Sequence, residues 1–425
     1  MRPWRSGALV SVCFAAAIAT GGRAASPPAC DPGNGGLKLP DGFCALVAAD
    51  NLGPARHLVA APNGDVYVAI QQNRSDTSGV YALRDTDGDG KFDQKELLGN
   101  AGGTGIALRN GYLYFATPNS VIRWKLTAGQ LKPSGQAETV VSALPERGQH
   151  EDKGIAFDGR GGMYVNVGAP SNACQNPDRR PKIPGQDPCP LLETYGGIWR
   201  FDENKTGQTF ANGTRYATGL RQMIAIAWHD GALYLVMNNR DSLDQLWPDL
   251  FKPQDNQTRP AEPMYRVDRA GDNFGWPYCF YDYTQNTLLL NPEYGGDGKT
   301  VGRCSQFKPP IVAFPAHWAP VALMFYTGSQ FPKKYQGGAF IAFHGSWNRA
   351  PAPQDGYNVT FQPFSGNKPS GKFEVFADGF AGRTPLMQPN LAAARADGVA
   401  QGPDGSLYIG DSEKGKIWRV LYKGK

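Results

Sequence analysis

The apolar residues of this chain fall in short alternating runs, and a turn containing glycine introduces each run. Such a run recurs six times along the sequence. The copies are N-G-D-V-Y-V-A from Asn63, N-G-Y-L-Y-F-A from Asn110, G-G-M-Y-V-N-V from Gly161, D-G-A-L-Y-L-V from Asp230, G-G-A-F-I-A-F from Gly337 and D-G-S-L-Y-I-G from Asp404. Because alternation with a period of two is typical of strands, each copy predicts a β-hairpin.

A second apolar motif follows every copy at a variable distance. These motifs are V-Y-A-L-R at 80–84, V-I-R-W-K at 121–125, I-W-R-F-D at 198–202, M-Y-R-V-D at 264–268, V-T-F-Q-P at 359–363 and I-W-R-V-L at 417–421. Six pairs of motifs predict an all-β fold, a six-bladed β-propeller, in one domain over residues 25–425. A β-sandwich with similar turns is the alternative fold.

The spacing of the copies predicts where the chemistry lies. Successive copies start 47 to 107 residues apart, and the largest insertions fall between the third and the fifth copy. Long insertions in a compact domain commonly carry binding sites or lids. In a propeller we expect these segments to gather at one mouth of the central channel.

The N-terminal segment predicts export. Arg2 and Arg5 precede an apolar stretch from Ala8 to Ala19, and small residues follow at Gly22 and Ala24. Residues 1–24 are therefore predicted to be a signal peptide, and the mature protein is expected to be periplasmic or secreted. No later stretch is apolar enough for a membrane span.

Charge argues against nucleic acid as a partner. The full chain has a formal charge of +5, but the signal peptide holds three arginines and no acid, which leaves 40 basic against 38 acidic residues. The sequence also contains no block of Lys and Arg that could follow a phosphate backbone.

The cysteines fit an oxidising compartment. Removal of Cys13 with the signal peptide leaves six, in three pairs that are close in sequence. Local disulfides are the simplest pairing of the 15 that six cysteines permit. The expected bonds are Cys30 with Cys44, Cys174 with Cys189 and Cys279 with Cys304.

An acidic loop has the spacing of a calcium site. In D-T-D-G-D-G-K-F-D-Q-K-E, oxygen donors occupy positions 1, 3, 5, 9 and 12, glycine occupies position 6, and position 7 would supply its main-chain carbonyl. The flanking segments read as strands, so we expect Ca²⁺ to tie a blade hairpin together. The expected ligands are Asp85, Asp87, Asp89, Lys91, Asp93 and Glu96. A solvated acidic turn is the alternative.

Few residues qualify as acid–base or anion-binding groups. His150 lies in a polar loop before a predicted strand, where a general base could face the channel. His344 ends an apolar strand and could equally be a structural histidine. Arg221, Arg349 and Arg395 lie in predicted loops, where each could hold an anionic ligand or form an ordinary ion pair.

Four segments together resemble one known family. They are A-R-A-D-G-V-A-Q-G-P-D-G-S-L-Y-I-G-D-S-E-K-G-K-I-W-R-V at the C-terminus, H-G-S-W-N-R, D-N-F-G-W-P and D-T-D-G-D-G-K-F-D. The chain resembles the L-sorbosone dehydrogenase family, a branch of the soluble glucose dehydrogenase-like quinoproteins. The resemblance implies a six-bladed propeller with pyrroloquinoline quinone (PQQ) and Ca²⁺ at the channel mouth, which oxidises a sugar or sugar-derived aldehyde.

The resemblance also implies roles for individual residues. His150 resembles the base that removes the substrate's hydroxyl proton. Arg221 resembles the arginine that covers the cofactor ring, and Gln222 stands where the glucose enzymes have Asn. Arg395 resembles an arginine that pairs with a cofactor carboxylate. His344, Trp347 and Arg349 of the H-G-S-W-N-R segment complete the expected cofactor site.

Two positions depart from the family pattern. Asp397 replaces a second arginine, and Arg349 is expected to supply the missing positive charge. Ala169 replaces an Asp beside the base, so the imidazole of His150 is expected to be less well oriented and less basic.

The absence of other motifs narrows the function further. No C-x-x-C-H motif for haem is present, so electrons would pass to an external acceptor, a cytochrome or a quinone. Two other functions remain open, a calcium-dependent propeller lactonase or esterase and a binding propeller without catalysis.

Overall fold

The structure of the protein is a computed structural model that describes residues 28–71 and 78–424, together with Met1. Apart from Met1, the predicted signal peptide lies outside the described residues. Strands are numbered in chain order from β1 (Phe43–Ala49).

Six sheets of antiparallel strands form the blades. Blade one contains β2 (Ala55–Ala60), β3 (Val66–Ile70), β4 (Gly79–Arg84) and β5 (Gln94–Leu98). Blade two contains β6 (Ile106–Arg109), β7 (Tyr112–Ala116), β8 (Val121–Lys125) and β9 (Glu138–Ser142). Blade three contains β10 (Ile155–Phe157), β11 (Gly162–Val167), β12 (Gly197–Asp202) and β14 (Thr214–Thr218). The short β13 (Gln208–Thr209), between β12 and β14 in the chain, pairs with β9 of blade two.

The remaining blades carry the larger insertions. Blade four contains β15 (Gln222–His229), β16 (Ala232–Asn238), β17 (Glu262–Val267) and its outer strand β21 (Val312–Phe314). The segment between β17 and β21 contains the short strands β18 (Asp272–Asn273), β19 (Cys279–Asp282) and β20 (Thr287–Leu290). Blade five contains β22 (Pro320–Phe325), β23 (Ala339–His344), β24 (Tyr357–Gln362) and β27 (Glu374–Ala377). A hairpin of β25 (Phe364–Ser365) and β26 (Lys368–Pro369) lies between β24 and β27 in the chain. Blade six contains β28 (Ala396–Gln401), β29 (Leu407–Asp411) and β30 (Ile417–Tyr422).

The N-terminal strand closes the ring. β1 pairs antiparallel with β30, with Ala45 opposite Val420, and becomes the outer strand of blade six. The prediction of an all-β, six-bladed propeller is therefore confirmed. The two repeated motifs form the second and third strands of every blade.

The core is divided among the contacts between blades. Six clusters of buried apolar side chains each join two neighbouring blades, so the hydrophobic effect acts at six interfaces around the ring. Phe340 of blade five, for example, shares a cluster with Ile409 of blade six. This arrangement explains how a chain of this length needs no single large core.

The insertions pack on one another at one end of the ring. The segment 168–196 lies between β11 and β12, and its disulfide joins Cys174 to Cys189. Trp276 donates a hydrogen bond from Nε1 to the carbonyl of Asn172 in that segment, at 2.9 Å. The other predicted disulfides are present as well, so all three pairings are confirmed.

Helical structure is short throughout the described residues. One turn of α-helix, α1 (Leu243–Leu246), follows β16. The 3₁₀ turns are Pro32–Gly36, Pro190–Glu193, Phe210–Asn212, Pro253–Gln257, Pro292–Tyr294, Gly302–Gln306, Lys333–Tyr335 and Pro389–Leu391. None of the helices in the described part of the chain has the length and apolarity that crossing a membrane requires.

Candidate functional site

Polar side chains gather at one end of the central channel. Here the innermost strand of each blade begins and the second strand ends, because the two form a hairpin whose turn lies at the opposite end. Residues just before an innermost strand and just after a second strand therefore share one surface, the channel mouth. It contains a cavity of about 310 Å³. The wall of this cavity includes Arg56, His150, Asp152, Arg221, Asp241 and His344.

Two further cavities share walls with the central one. A cavity of about 380 Å³ shares His150 and Asp152 with it. Another, of about 610 Å³, shares Arg56, His344 and Trp347. The mouth is therefore a branched basin large enough for a small-molecule cofactor together with a substrate.

His150 lies where two of these cavities meet. Its Nδ1 donates a hydrogen bond to the carbonyl oxygen of Ala169, since that oxygen can only accept. Nε2 of the neutral ring is then the unprotonated nitrogen. Burial, and secondly the nearby charge of Arg221, lower the pKa of His150 to about 3, so the imidazole is a neutral base at neutral pH.

The contact with Ala169 corrects one expectation from the sequence. The imidazole was expected to lose its orientation because alanine replaces an Asp, but the main-chain carbonyl of Ala169 orients it instead. The close approach depends on Gly168, where a Cβ would lie 2.3 Å from Oε1 of Gln222 and 2.7 Å from Cβ of His150.

Arg221 is held by a carboxylate that the sequence analysis missed. Nη2 of Arg221 donates to Oδ2 of Asp241 at 2.7 Å, and Nη2 of Arg179 donates to the same oxygen at 2.9 Å. Asn348 donates to the other oxygen of Asp241 at 3.1 Å. Although burial opposes ionisation, the two guanidinium groups hold the pKa of Asp241 well below its usual value. Two guanidinium groups therefore share the carboxylate of Asp241 near His150.

Arg56 also lines the central cavity, and its role was not predicted from the sequence. Nη1 donates to Asp397 at 2.7 Å, and Nη2 donates to Asp152 at 3.1 Å. Burial raises the pKa of Asp397 to about 7, against the effect of Arg56. Asp397 replaces an arginine of the family pattern, and the positive charge beside it comes from Arg56.

The largest cavity of the mouth contains three of the expected cofactor residues. Arg395 donates from Nη1 to Nδ1 of His344 at 3.1 Å, and its Nε lies 3.0 Å from a carboxylate oxygen of Glu413. Trp347 is 56% exposed and lines this cavity as well as the central one. Its side chain is therefore accessible from the basin.

A buried acid lines the central cavity from β17. Oε2 of Glu262 accepts a hydrogen bond from the main-chain nitrogen of Asn239 at 2.7 Å. Burial raises the pKa of Glu262 to about 8, so this carboxyl group is protonated at neutral pH. The charge of the cavity is therefore more positive than the number of acidic residues suggests.

Of the expected cofactor residues, Gln222 lies at the channel mouth and Arg349 does not. Gln222 lines the central cavity, where its Oε1 accepts a hydrogen bond from Asn166 at 3.4 Å. Arg349 lies apart, because its Nη1 donates to the carbonyl of Ala316 and its side chain lines a separate cavity. The structure does not bring Arg349 together with Arg221 and Arg395 at the mouth.

The acidic loop joins β4 to β5 at the end of the blade opposite the mouth. Asp85, Asp87 and Asp89 each offer a carboxylate oxygen, and these oxygens lie within 4.8 Å of one another. Asp93 turns to Thr86, whose Oγ1 donates to it at 2.6 Å. Glu96 lies within β5.

Two contacts of the acidic loop lead to the N-terminal segment. Nζ of Lys91 lies 3.2 Å from a carboxylate oxygen of Asp31. Phe92 donates from its main-chain nitrogen to Ala48 of β1 at 2.8 Å. The loop therefore braces the strand that closes the ring.

The groups missed from the sequence share one positional signal. Arg56 and Asp152 lie at or just before innermost strands, and Asp241 follows a second strand. Once the six repeats are aligned, charged residues at these positions are candidates for the mouth. His317, which also lines the central cavity, carries the same signal because it lies three residues before the innermost strand β22. Glu262 carries no such signal, because it opens a third strand.

The comparisons with known proteins agree with this architecture. Residues 37–423 match the model of the TrAA12-like family. The PQQ domain of pyranose dehydrogenase from Coprinopsis cinerea superposes with a TM-score of 0.72 at 16% identity, covering 91% of this chain and 97% of that one. A calcium structure of a family AA12 enzyme from Trichoderma reesei gives a TM-score of 0.73 at 19% identity, with coverage of 91% and 97%.

More distant similarities extend the same picture. The soluble aldose sugar dehydrogenase of Escherichia coli gives a TM-score of 0.57 at 16% identity, covering 89% of this chain and 99% of that one. A curated protein of Borreliella burgdorferi without a functional name is 30% identical over 210 residues. That match spans 49% of this chain and 48%, about half, of the relative. Since the family model covers nearly the whole described chain, the protein belongs to the TrAA12-like family.

Proposed function

We propose that the protein is a PQQ-dependent oxidoreductase that oxidises a sugar or a sugar-derived aldehyde, of the sorbosone or aldose type. The observation that carries the proposal is the environment of His150. A neutral imidazole, with Nδ1 committed to Ala169, adjoins a basin whose wall carries four guanidinium groups. The named activities of the similar structures, which include a pyranose dehydrogenase and an aldose sugar dehydrogenase, support the same function.

The donors of the basin fit a flat, polyanionic cofactor. Arg56, Arg179, Arg221 and Arg395 line the basin, and burial raises the pKa of Glu262, which lines it as well. Nε of Arg221 is buried without a hydrogen-bond partner in the described structure. Four guanidinium groups around one basin suit a tricarboxylate, which forms charge-assisted hydrogen bonds with arginine.

The residues divide the work of the reaction. PQQ, when bound, would supply the acceptor for the hydride, two electrons and one proton, that leaves the substrate carbon. His150 Nε2 accepts the proton of the substrate hydroxyl as the carbon–hydrogen bond breaks. Arg221, Gln222, Arg395, His344 and Trp347 would hold the cofactor, with the indole of Trp347 packing against its flat face. Asp241 fixes the position of Arg221 beside the base.

Calcium has a structural role in this proposal. Carboxylates as close as those of Asp85, Asp87 and Asp89 repel one another unless a cation neutralises them. The loop that carries them lies opposite the mouth and contacts β1, so Ca²⁺ there would secure the ring closure. We assign Lys91, Asp93 and Glu96 to the same loop site, as the spacing of the sequence predicts.

Export and an external electron acceptor complete the proposal. Three disulfides fit an oxidising compartment, so we propose a periplasmic or secreted location. Electrons would leave through a separate cytochrome or quinone, since the chain has no haem motif.

A hydrolytic function receives little support from the mouth. Ser412 and His344 form a hydrogen bond of 2.9 Å that could suggest a serine nucleophile. However, Nδ1 of His344 accepts from Arg395, so Nε2 carries the proton and donates it to Ser412. A histidine in this state cannot activate the serine as a base.

Titration with the cofactor tests the proposal. Purified protein prepared without quinone is titrated with PQQ and Ca²⁺ while absorbance is followed, and aldoses and aldehydes, including sorbosone, are then screened with an artificial acceptor dye. We expect dye reduction only when both PQQ and a substrate are present. Arg395→Ala should weaken cofactor affinity, with activity partly recovered at high cofactor concentration.

The matched control is Arg269→Ala, because Arg269 is 83% exposed on a turn outside the mouth. This variant should titrate like the wild type. Absence of any change in absorbance would contradict the proposal and favour a binding propeller. Hydrolysis of lactones or esters without quinone would favour a hydrolase instead.

A further inference from the structure

Arg349 and its surroundings form a cavity outside the channel mouth that the proposed reaction does not use. The cavity has a volume of about 490 Å³ and lies at the edge of blade five, beside the start of β24 and the connection to blade six. Trp318, Asn358 and Arg383 also line it. A volume of this size is typical of small-molecule sites.

The guanidinium of Arg349 is buried but poorly partnered. The residue is 8% exposed, and its only side-chain hydrogen bond within the described residues runs from Nη1 to Ala316, at 3.3 Å. The nearest carboxylate oxygen, on Asp355, lies 3.8 Å from Nη2. Nε is buried without a partner. An arginine has five N–H donors, and a buried charge that leaves most of them unused is costly unless a ligand pairs with it.

Other polar groups of the same wall also lack partners. Nε1 of Trp318 and Oδ1 of Asn358 are buried and make no hydrogen bond in the described part of the chain. A ligand that carries both a negative group and hydroxyl groups could satisfy such a mixture, whereas an apolar ligand could not.

The distribution of charge orients such a ligand. Arg349 is the buried charge of the wall, while Asp355, Asp378 and Arg383 are exposed at the rim. The inner part is therefore positive, and the rim carries both signs. A negative group would lie inside, with the neutral part of the molecule outward.

We propose that this cavity binds a small hydroxycarboxylic acid of sugar-acid size, with its carboxylate on Arg349. The site is separate from the channel mouth, and its occupancy does not depend on the proposed redox function. Arg349 is the specific anchor, because its planar fork matches a carboxylate with two parallel hydrogen bonds.

Calorimetry with D-gluconate tests the proposal, with glucose as the neutral counterpart and inorganic phosphate as a second anion. We expect gluconate to bind the wild type at least about tenfold more tightly than either of the others. Arg349→Met should abolish binding, and Arg349→Lys should weaken it. Arg383→Ala, at the exposed rim, should weaken it a few-fold, while Lys372→Ala, which removes an exposed charge elsewhere on blade five, should not.

Two comparisons locate the binding. Arg395→Ala, a change at the channel mouth, should leave gluconate affinity unchanged. In the wild type, the indole N–H resonance of Trp318, assigned with Trp318→Phe, should shift on addition of gluconate, which gives a readout that does not require Arg349→Met to fold. The proposal would be overturned if gluconate still bound to Arg349→Met, or if its binding were lost in Arg395→Ala. It would also be overturned if phosphate bound as tightly as gluconate, or if the Trp318 resonance did not move.

Discussion

The two ends of the central channel are built from the same six innermost strands and differ in chemistry. At the mouth, strand starts and adjoining loops contribute Arg56, Asp152 and Arg221. Arg56 pairs with Asp152 of another blade, and Arg221 pairs with Asp241 of its own blade. At the opposite end, the same strands line a cavity of about 280 Å³ with side chains that include Ile106, Ile155, Ile226, Leu323 and Val399.

The apolar end of the channel stabilises the ring, whereas the charged mouth provides the groups that can perform chemistry. The apolar end packs aliphatic side chains around its cavity, while the mouth concentrates buried ionisable groups whose pKa values shift. The neutral His150 and the protonated Glu262 both follow from burial at the mouth.

The largest expected effect is on stability at the mouth. Asp241→Ala removes the anion shared by Arg179 and Arg221, and leaves the buried Arg221 without its carboxylate. We expect a loss of about 3–5 kcal/mol in the free energy of unfolding. In the control Glu374→Ala, the exposed pair with Lys334 is removed, and the loss should stay below about 1 kcal/mol. Equal losses in urea denaturation would contradict the account.

Glu262 makes stability at the mouth depend on pH. Burial raises its pKa from the ordinary value of 4.5 to about 8 in the folded protein, so the unfolded chain loses the proton first. Stability therefore falls as pH rises between these values, by up to about 4 kcal/mol from pH 5 to pH 8. Glu262→Gln should remove this part of the fall. Identical pH profiles of unfolding for wild type and variant would show that Glu262 ionises normally.

The acidic loop gives an effect of intermediate size, away from the channel. Calcium at 100 times its dissociation constant should stabilise the wild type by about 2.7 kcal/mol, and Asp87→Ala should abolish this gain. Turnover at saturating substrate should be the same for both proteins, because the loop lies opposite the mouth. A melting temperature of the wild type that does not respond to chelation would exclude a calcium site.

The smallest effect is expected at the apolar end. Ile226→Ala should lower the free energy of unfolding by about 2 kcal/mol, at the lower end for such truncations because Ile226 already borders a cavity. Turnover should be preserved. Gln222→Ala, at the mouth end of the same strand, should lower turnover while it changes the free energy of unfolding little. Loss of activity in Ile226→Ala would show that the two ends are coupled.

The sequence revealed the fold more fully than the site, for a physical reason. Glycine turns and alternating strands are local signals, and so is a disulfide such as Cys174–Cys189, whose cysteines are 15 residues apart. The contacts of the mouth are not local. Arg56 and Asp397 are 341 residues apart in sequence and meet only because the ring closes.

Loop geometry accounts for what local signals left open. Arg349 lies two residues after Trp347, yet Trp347 lines the mouth and Arg349 lines another cavity. His150 was recognised from its polar loop, whereas its orientation by Ala169 depends on a main-chain carbonyl that no side-chain pattern reveals.

The central claim is that His150 is the base of a sugar oxidation at the channel mouth. The most direct test is steady-state turnover of His150→Ala with PQQ, Ca²⁺ and the best substrate from the screen, alongside PQQ titration of the same variant. The control is His229→Gln, at the opposite end of blade four, where His229 stacks on Phe325. We expect turnover of His150→Ala to fall by about 10²- to 10⁴-fold with cofactor affinity retained, and the control to match the wild type. Turnover of His150→Ala near the wild-type value would contradict the account at its central point.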